Sequence, residues 1–170
     1  MTSVHLITGG QRSGKSSLAQ EIALQNSKNP IYLATARVWD DDFKKRIERH
    51  KSDRGAEWKN IEEEKFISSI DFAEKSVVVI DCITLWLTNF FTDNKFDLDT
   101  TFEQAKNEWD KLLAKNINII VVSNEIGMGI HADTAVGRKF TDLQGWMNQY
   151  IASKANKVSF MVSGIEMKIK

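Results

Sequence analysis

Val4-His5-Leu6-Ile7-Thr8-Gly9-Gly10-Gln11-Arg12-Ser13-Gly14-Lys15-Ser16-Ser17 joins an apolar run to a glycine-rich turn and then to a helix-compatible stretch. Gly9, Gly14, Lys15 and Ser16 satisfy G-x-x-x-x-G-K-[ST], the phosphate-binding loop pattern. Its chemistry is specific. Glycines let backbone N–H groups curl around an anion with no Cβ in the way. A helix beginning at Lys15 adds unpaired N–H donors and a partial positive charge. Lys15 can reach β- and γ-phosphates, and Ser16 Oγ can ligate Mg²⁺. The stretch therefore predicts a strand over Val4–Thr8 and a helix from Lys15 to about Ser27, with Leu18, Ile22 and Leu24 on its buried side.

Working outward, Pro30 opens a second strand, Ile31–Ala34, where its missing N–H is tolerated. Asp40, Asp41 and Asp42 suit the first turn of a helix that carries Phe43, Arg46, Ile47 and His50. A further helix is expected over Glu62–Glu74. Val77-Val78-Val79-Ile80-Asp81 is a β-branched run suited to a strand buried on both faces. Helices follow over Ile83–Phe91 and Phe102–Lys115, separated by a polar loop from Thr92 to Thr100. Ile117–Val122 is another buried strand, a long helix spans Thr134–Asn156, and Val158–Val162 is the last strand. Strands alternating with helices make a three-layer α/β fold with a mostly parallel sheet flanked by helices. Ligands of such sheets sit at the carboxyl ends of strands. Thr8, Thr35, Asp81 and Asn124 all fall there, on the edge that holds the phosphate loop.

The length, 170 residues, suits one domain over 1–170 with a sizeable core. Lys+Arg and Asp+Glu both number 23, which gives no reason to expect a nucleic-acid partner or an anionic membrane surface. Cys82 is the only cysteine, so no intramolecular disulfide forms and a reducing compartment fits. No apolar stretch approaches the ~20 residues of a membrane span, and no signal-type segment is present; the expected location is cytoplasmic.

Several residues carry chemistry. Asp81 closes an apolar strand downstream of the loop, where a Mg²⁺-directed aspartate is expected, although capping the next helix is open to the same residue. His50 lies in Arg46-Ile47-Glu48-Arg49-His50-Lys51-Ser52-Asp53-Arg54. Surrounding cations favour neutral, nucleophilic imidazole and attract phosphate, yet a solvated charged helix reads the same way. Cys82 suits a small core residue, and Arg138 and Asp142 have the i,i+4 spacing of an ion pair.

With these residues in view, the chain resembles the bifunctional adenosylcobinamide kinase / adenosylcobinamide-phosphate guanylyltransferase family of cobalamin biosynthesis. The likeness runs through Thr8 to Ser16, Tyr32-Leu33-Ala34-Thr35-Ala36, Arg46-Ile47 with His50, Arg54, Trp58 and Glu62. It continues through Asp81 to Asn89, Asn124 to Ile130, the Arg138, Phe140, Asp142, Gly145, Asn148 series and Val162-Ser163-Gly164-Ile165. The resemblance implies a P-loop NTPase-type fold and two reactions. ATP or GTP phosphorylates the corrinoid hydroxyl; GTP then gives GMP to a histidine, and the phosphorylated corrinoid takes it to form adenosylcobinamide-GDP. The family's guanylylated histidine falls on His50. Its nucleotide contacts fall on Gly9, Gly10, Gln11, Arg12, Ser13, Gly14, Lys15 and Ser16, on Arg37, Val38 and Trp39, on Asp53, Arg54, Gly55 and Ala56, and on Glu62 and Asp81. Lys15 joins His50 as a catalytic residue, Ser16 and Asp81 face Mg²⁺, and a homotrimer is implied.

Overall fold

The structure is a computed structural model that describes residues 1–37 and 54–170. Within them the elements run β1 (Ser3–Gly9), α1 (Lys15–Asn26), β2 (Ile31–Ala34), β3 (Lys59–Glu62), a 3₁₀ turn (Ile67–Ser69), β4 (Val77–Asp81), α2 (Ile83–Asp93), α3 (Leu98–Leu113), β5 (Asn118–Val122), α4 (Ala135–Lys154), β6 (Lys157–Val162) and β7 (Ile165–Lys168). They form one seven-stranded sheet in the order β3-β2-β4-β5-β1-β6-β7. Every neighbouring pair is parallel except β6 and β7.

Period-2 alternation sorts each strand into two cores. Val4 and Leu6 of β1, Ile31 and Leu33 of β2, and Val78 and Ile80 of β4 pack against Trp86, Leu87 and Phe90 of α2, Trp109 and Leu112 of α3, and Leu143, Met147 and Ile151 of α4. Ile7, Tyr32, Val77 and Val79 face the other way and meet Ala19 and Ala23 of α1. Small alanines let α1 lie close to the sheet. Leu18 and Ile22 pack at the margin of that core, whereas Leu24, expected on the buried side, is exposed. Asp81 follows Val79 by two residues and so points toward the α1 face. This register places it beside the start of α1.

Two expectations for the path of the chain fail. No helix spans Glu62–Glu74. Lys59–Glu62 is instead a strand parallel to β2, and the only helical turn within residues 62–74 is Ile67–Ser69. β3 is an edge strand with mostly exposed side chains, so it carries no apolar alternation for a sequence reading to detect. The loop expected from Thr92 to Thr100 is shorter, because Asp97 caps α3 by accepting from Thr100 N at 2.9 Å. A strand was also missed: β7 pairs with β6 through the turn at Ser163 and Gly164. The helix expected after Asp40 lies outside the described residues.

Candidate nucleotide site

The phosphate loop is built by local conformation and by a support beneath it. Gly9 adopts φ +149°, and a Cβ there would sit 2.5 Å from the Met161 carbonyl oxygen and 2.9 Å from Ser13 Oγ. Gly14 adopts φ +97° and would carry its Cβ 3.3 Å from Gly164 Cα. Both positions need glycine for conformation and for space. The Gly164 N–H donates to the Ser13 carbonyl at 3.0 Å, so the β6–β7 turn braces the loop from behind. Glu125 N donates to the Gly9 carbonyl at 3.0 Å, tying the end of β5 to the same loop.

Gly14 caps α1 with no side-chain hydrogen bond. The caps of α3 and α4 differ: Asp97 and Thr134 accept from Thr100 N and Gly137 N. The first N–H groups of α1 are thus left for an anion. Lys15 is buried, and its Nζ donates to the Gly10 carbonyl. Burial lowers its pKa, with Cys82 and Asp81 opposing. An ammonium so desolvated gains most from a nearby anion. Thr8 Oγ1 and Ser13 Oγ are buried without a partner among the described residues.

Asp81 faces this helix start. Ser16 Oγ lies 3.5 Å from Asp81 Oδ2, and Tyr32 Oη donates to that same oxygen. Burial, reinforced by Asp81, pushes the Tyr32 phenol far above its ordinary range, so it stays a donor. The Arg54 guanidinium stacks 3.6 Å from the Tyr32 ring centroid. Its Nε donates to Asn60 Oδ1 at 2.9 Å, while one terminal nitrogen is buried with no partner among the described residues. One carboxylate and one hydroxyl, both hard oxygen donors, suit Mg²⁺, which takes few protein ligands and completes its shell with phosphates and water. Among the described residues no group of three or more His, Cys, Asp or Glu is placed to hold a metal ion.

The other expected residues divide. Gly55 and Ala56 are exposed in the turn closed by Trp58 N on the Gly55 carbonyl, 3.3 Å. Glu62 ends β3 beside a cleft of about 520 Å³ that Ala36, Arg37, Glu63 and Glu64 also line. Arg37 turns toward the far end of α2, where it contacts Glu64 Oε2 at 2.7 Å and Asp93 Oδ1 at 2.9 Å. Arg37 and Lys65 hold Asp93 well below the usual carboxylate range. Asp93 is the last residue of an eleven-residue helix that starts beside Asp81, about 15 Å away at 1.5 Å per residue. Arg37 is therefore not gathered to the phosphate loop. His50, Val38, Trp39 and Asp53 lie outside the described residues.

Thr35 is fully buried and donates to the Cys82 carbonyl at 2.9 Å, a structural duty. Cys82 is buried and its thiol is pushed up to about 12, chiefly by desolvation, which fits a core residue. Arg138 does not pair with Asp142; it donates to the carbonyls of Ala132 and Asp133. Tyr32 is the partner that the sequence reading did not single out. The signal was its position in β2, on the same face as Asp81.

A mostly parallel sheet, a glycine-lined loop opening an uncapped helix, and a lysine and serine facing a strand-end aspartate define a P-loop NTPase-type nucleotide-binding fold. Solved structures agree. The flagellar accessory protein FlaH from Methanocaldococcus jannaschii superposes with a TM-score of 0.50 at 17% identity, over 99% of this chain and 78% of that one. A prototypical ATPase from the type III secretion system of pathogenic bacteria gives 0.57 at 12%, over 98% and 56%. Within that fold the family is specific. The model for cobinamide kinase / cobinamide phosphate guanyltransferase (CobU) matches residues 5–169, and the chain belongs to this family. It is 36% identical to the bifunctional adenosylcobalamin biosynthesis protein CobU of Escherichia coli (strain K12), over 97% of this chain and 98% of that protein. The corresponding protein CobP of Pseudomonas aeruginosa is also 36% identical, over 97% and 96%. CobU of Salmonella typhimurium is 32% identical, over 97% and 98%.

Proposed function

We propose that this protein phosphorylates adenosylcobinamide with ATP or GTP and then transfers GMP from GTP to the product, giving adenosylcobinamide-GDP. The observation that carries this reading is the Lys15–Ser16–Asp81 constellation at the mouth of the loop, in a chain of this family. In the first reaction the corrinoid hydroxyl oxygen bonds to the γ-phosphorus, the bond to the β,γ-bridging oxygen breaks, and the hydroxyl proton leaves. Gly9 through Ser13 and the first N–H groups of α1 hold the phosphates, and Lys15 balances the charge on the leaving diphosphate. Ser16 and Asp81 would hold Mg²⁺, which when bound neutralises phosphate charge.

In the second reaction a nitrogen of His50 bonds to the α-phosphorus of GTP and pyrophosphate leaves. A phosphate oxygen of the phosphorylated corrinoid then takes the GMP and restores the imidazole. The turn at Asp53, Arg54, Gly55 and Ala56, with Arg37, Val38, Trp39 and Glu62, contributes nucleotide contacts. The buried nitrogen of Arg54 that has no partner among the described residues supports an anion near that turn. The enzyme is a single cytoplasmic domain acting as a homotrimer with sites shared between neighbours; exposed Ile165, Met167 and Ile169 along the sheet edge support a surface covered by another copy. Among the described residues no helix is long and apolar enough to cross a membrane.

Incubation of the protein with GTP and Mg²⁺, followed by intact mass measurement, tests the second reaction. A gain of one GMP in the wild type, absent in His50→Ala, is the expected result. Retention of that gain in His50→Ala excludes His50 as the acceptor.

A further inference from the structure

Asp81 ends β4 as a carboxylate whose terminal torsion is intrinsically loose, because sp³–sp² rotation has broad minima. At this position a rigidly mounted donor restrains it. Tyr32 Oη donates to Oδ2, the oxygen that also lies 3.5 Å from Ser16 Oγ. The arrangement follows from strand register. Tyr32 lies opposite Val79, two residues before Asp81 on the same face, so the phenol leans along the sheet to reach the strand end.

The ring itself has little freedom. Tyr32 is only 3% exposed. Trp58 meets it edge-to-face at 5.9 Å between centroids, and Arg54 covers it at 3.6 Å. Arg54 is anchored in turn by Asn60 of β3. A rigid donor is thus aimed at one carboxylate oxygen, and Oδ1 stays clear of it.

We propose that Tyr32 is a positioning residue: its hydroxyl fixes the Asp81 carboxylate in the orientation in which, with Ser16, it receives the divalent cation of the bound nucleotide. The inference rests on the reading of Asp81 as the metal-facing carboxylate. It makes a distinction that a purely structural tyrosine does not. Loss of the hydroxyl weakens the cation's contribution to nucleotide binding and leaves cation-free binding alone.

Tyr32→Phe removes one oxygen and keeps the ring contacts with Trp58 and Arg54; a cooperative melt verifies that the variant is folded. The probe is a GTP analogue with a methylene in place of the α,β-bridging oxygen, titrated calorimetrically with and without Mg²⁺, no corrinoid being present. In the wild type Mg²⁺ tightens binding. In Tyr32→Phe that tightening falls roughly tenfold, the scale of one hydrogen bond to a charged group, while the Mg²⁺-free affinity is unchanged within about twofold. Undiminished tightening overturns the proposal, and so does an equal loss with and without Mg²⁺. Asp81→Asn separates the layers. If it keeps the full Mg²⁺ effect, the assignment of Asp81 fails and the proposal goes with it. If Asp81→Asn loses the effect and Tyr32→Phe retains it, only the proposal fails.

Discussion

The two ends of the sheet treat polar groups in opposite ways. At the amino end a cavity of about 220 Å³ is lined by Ser3, His5, Asn26, Asn118, Asn156 and Lys157 among apolar neighbours. Its uncharged polar side chains are matched within the protein. Asn156 Oδ1 accepts from Val4 N at 2.8 Å, Asn118 Oδ1 accepts from Ser3 Oγ at 2.7 Å, and His5 Nε2 lies 2.8 Å from Ser159 Oγ. At the carboxyl end the loop has more unused capacity: an uncapped helix start, a desolvated lysine, and buried hydroxyls of Thr8 and Ser13 with no partner among the described residues. Buried polar groups without partners are costly, so their concentration at one end marks where a ligand is due. The matched cavity is architecture, and the unsatisfied edge is the candidate site.

Substitutions at the two ends should therefore fail differently. Lys15→Ala should have the largest effect, lowering kcat/KM of both reactions by roughly 10²–10³-fold, as loss of a charge-stabilising group does, with little change in melting temperature. Separate kinase and guanylyltransferase assays on one preparation check this; normal kinetics would remove the loop from the mechanism. Gly9→Ala comes next. A Cβ 2.5 Å from the Met161 carbonyl at φ +149° forces the loop away from β6, at a cost of about 1–3 kcal/mol. Nucleotide affinity should fall roughly tenfold to a hundredfold in calorimetry. At the other end, Asn156→Ala leaves Val4 N unpaired and should lower unfolding free energy by about 1–3 kcal/mol with kcat unchanged. Denaturant melts and turnover measured together would expose any breach of the contrast.

How far the sequence reveals each end follows the range of the interactions. The loop is legible because its chemistry is local: Gly9, Gly14, Lys15 and Ser16 act within eight residues. β4 and β5 are legible because continuous β-branched runs leave little choice in a parallel sheet. β3 is not, since an exposed edge strand of Lys, Asn, Ile and Glu has no pattern to read. β7 had a signal, the alternation of Ile165, Glu166, Met167 and Lys168 behind Gly164, but its apolar side faces outward, so it does not read as core. The Tyr32–Asp81 contact joins residues 49 positions apart. Such a pair appears only once register sets two strands side by side. Arg37 teaches the same: that its guanidinium meets Glu64 and Asp93, 27 and 56 positions away, shows only in the fold.

The smallest expected effect is a pH dependence at the amino end. His5 lies on the α1 face of β1, between Ser159 and the cavity. Burial lowers its pKa; Glu166, held at 2.6 Å from Ser159 Oγ, opposes this, and Lys157 and Lys168 add to the lowering. The folded chain thus binds fewer protons at this residue than the unfolded chain, whose histidine titrates near 6.5. Stability from the neutral ring is full above that pH and is lost as pH falls from about 6.5 through the lower folded value. The ring is partly reached by water, so the loss should be small. Other groups titrate in the same range, so the informative quantity is the difference between wild type and His5→Gln across pH 5 to 8. The gap should narrow as pH falls, because only the wild type loses the neutral ring. Catalytic rate constants should show no such difference. If His5→Gln instead altered the pH profile of turnover, the two ends of the sheet would be coupled, and the division between architecture and site would have to be redrawn.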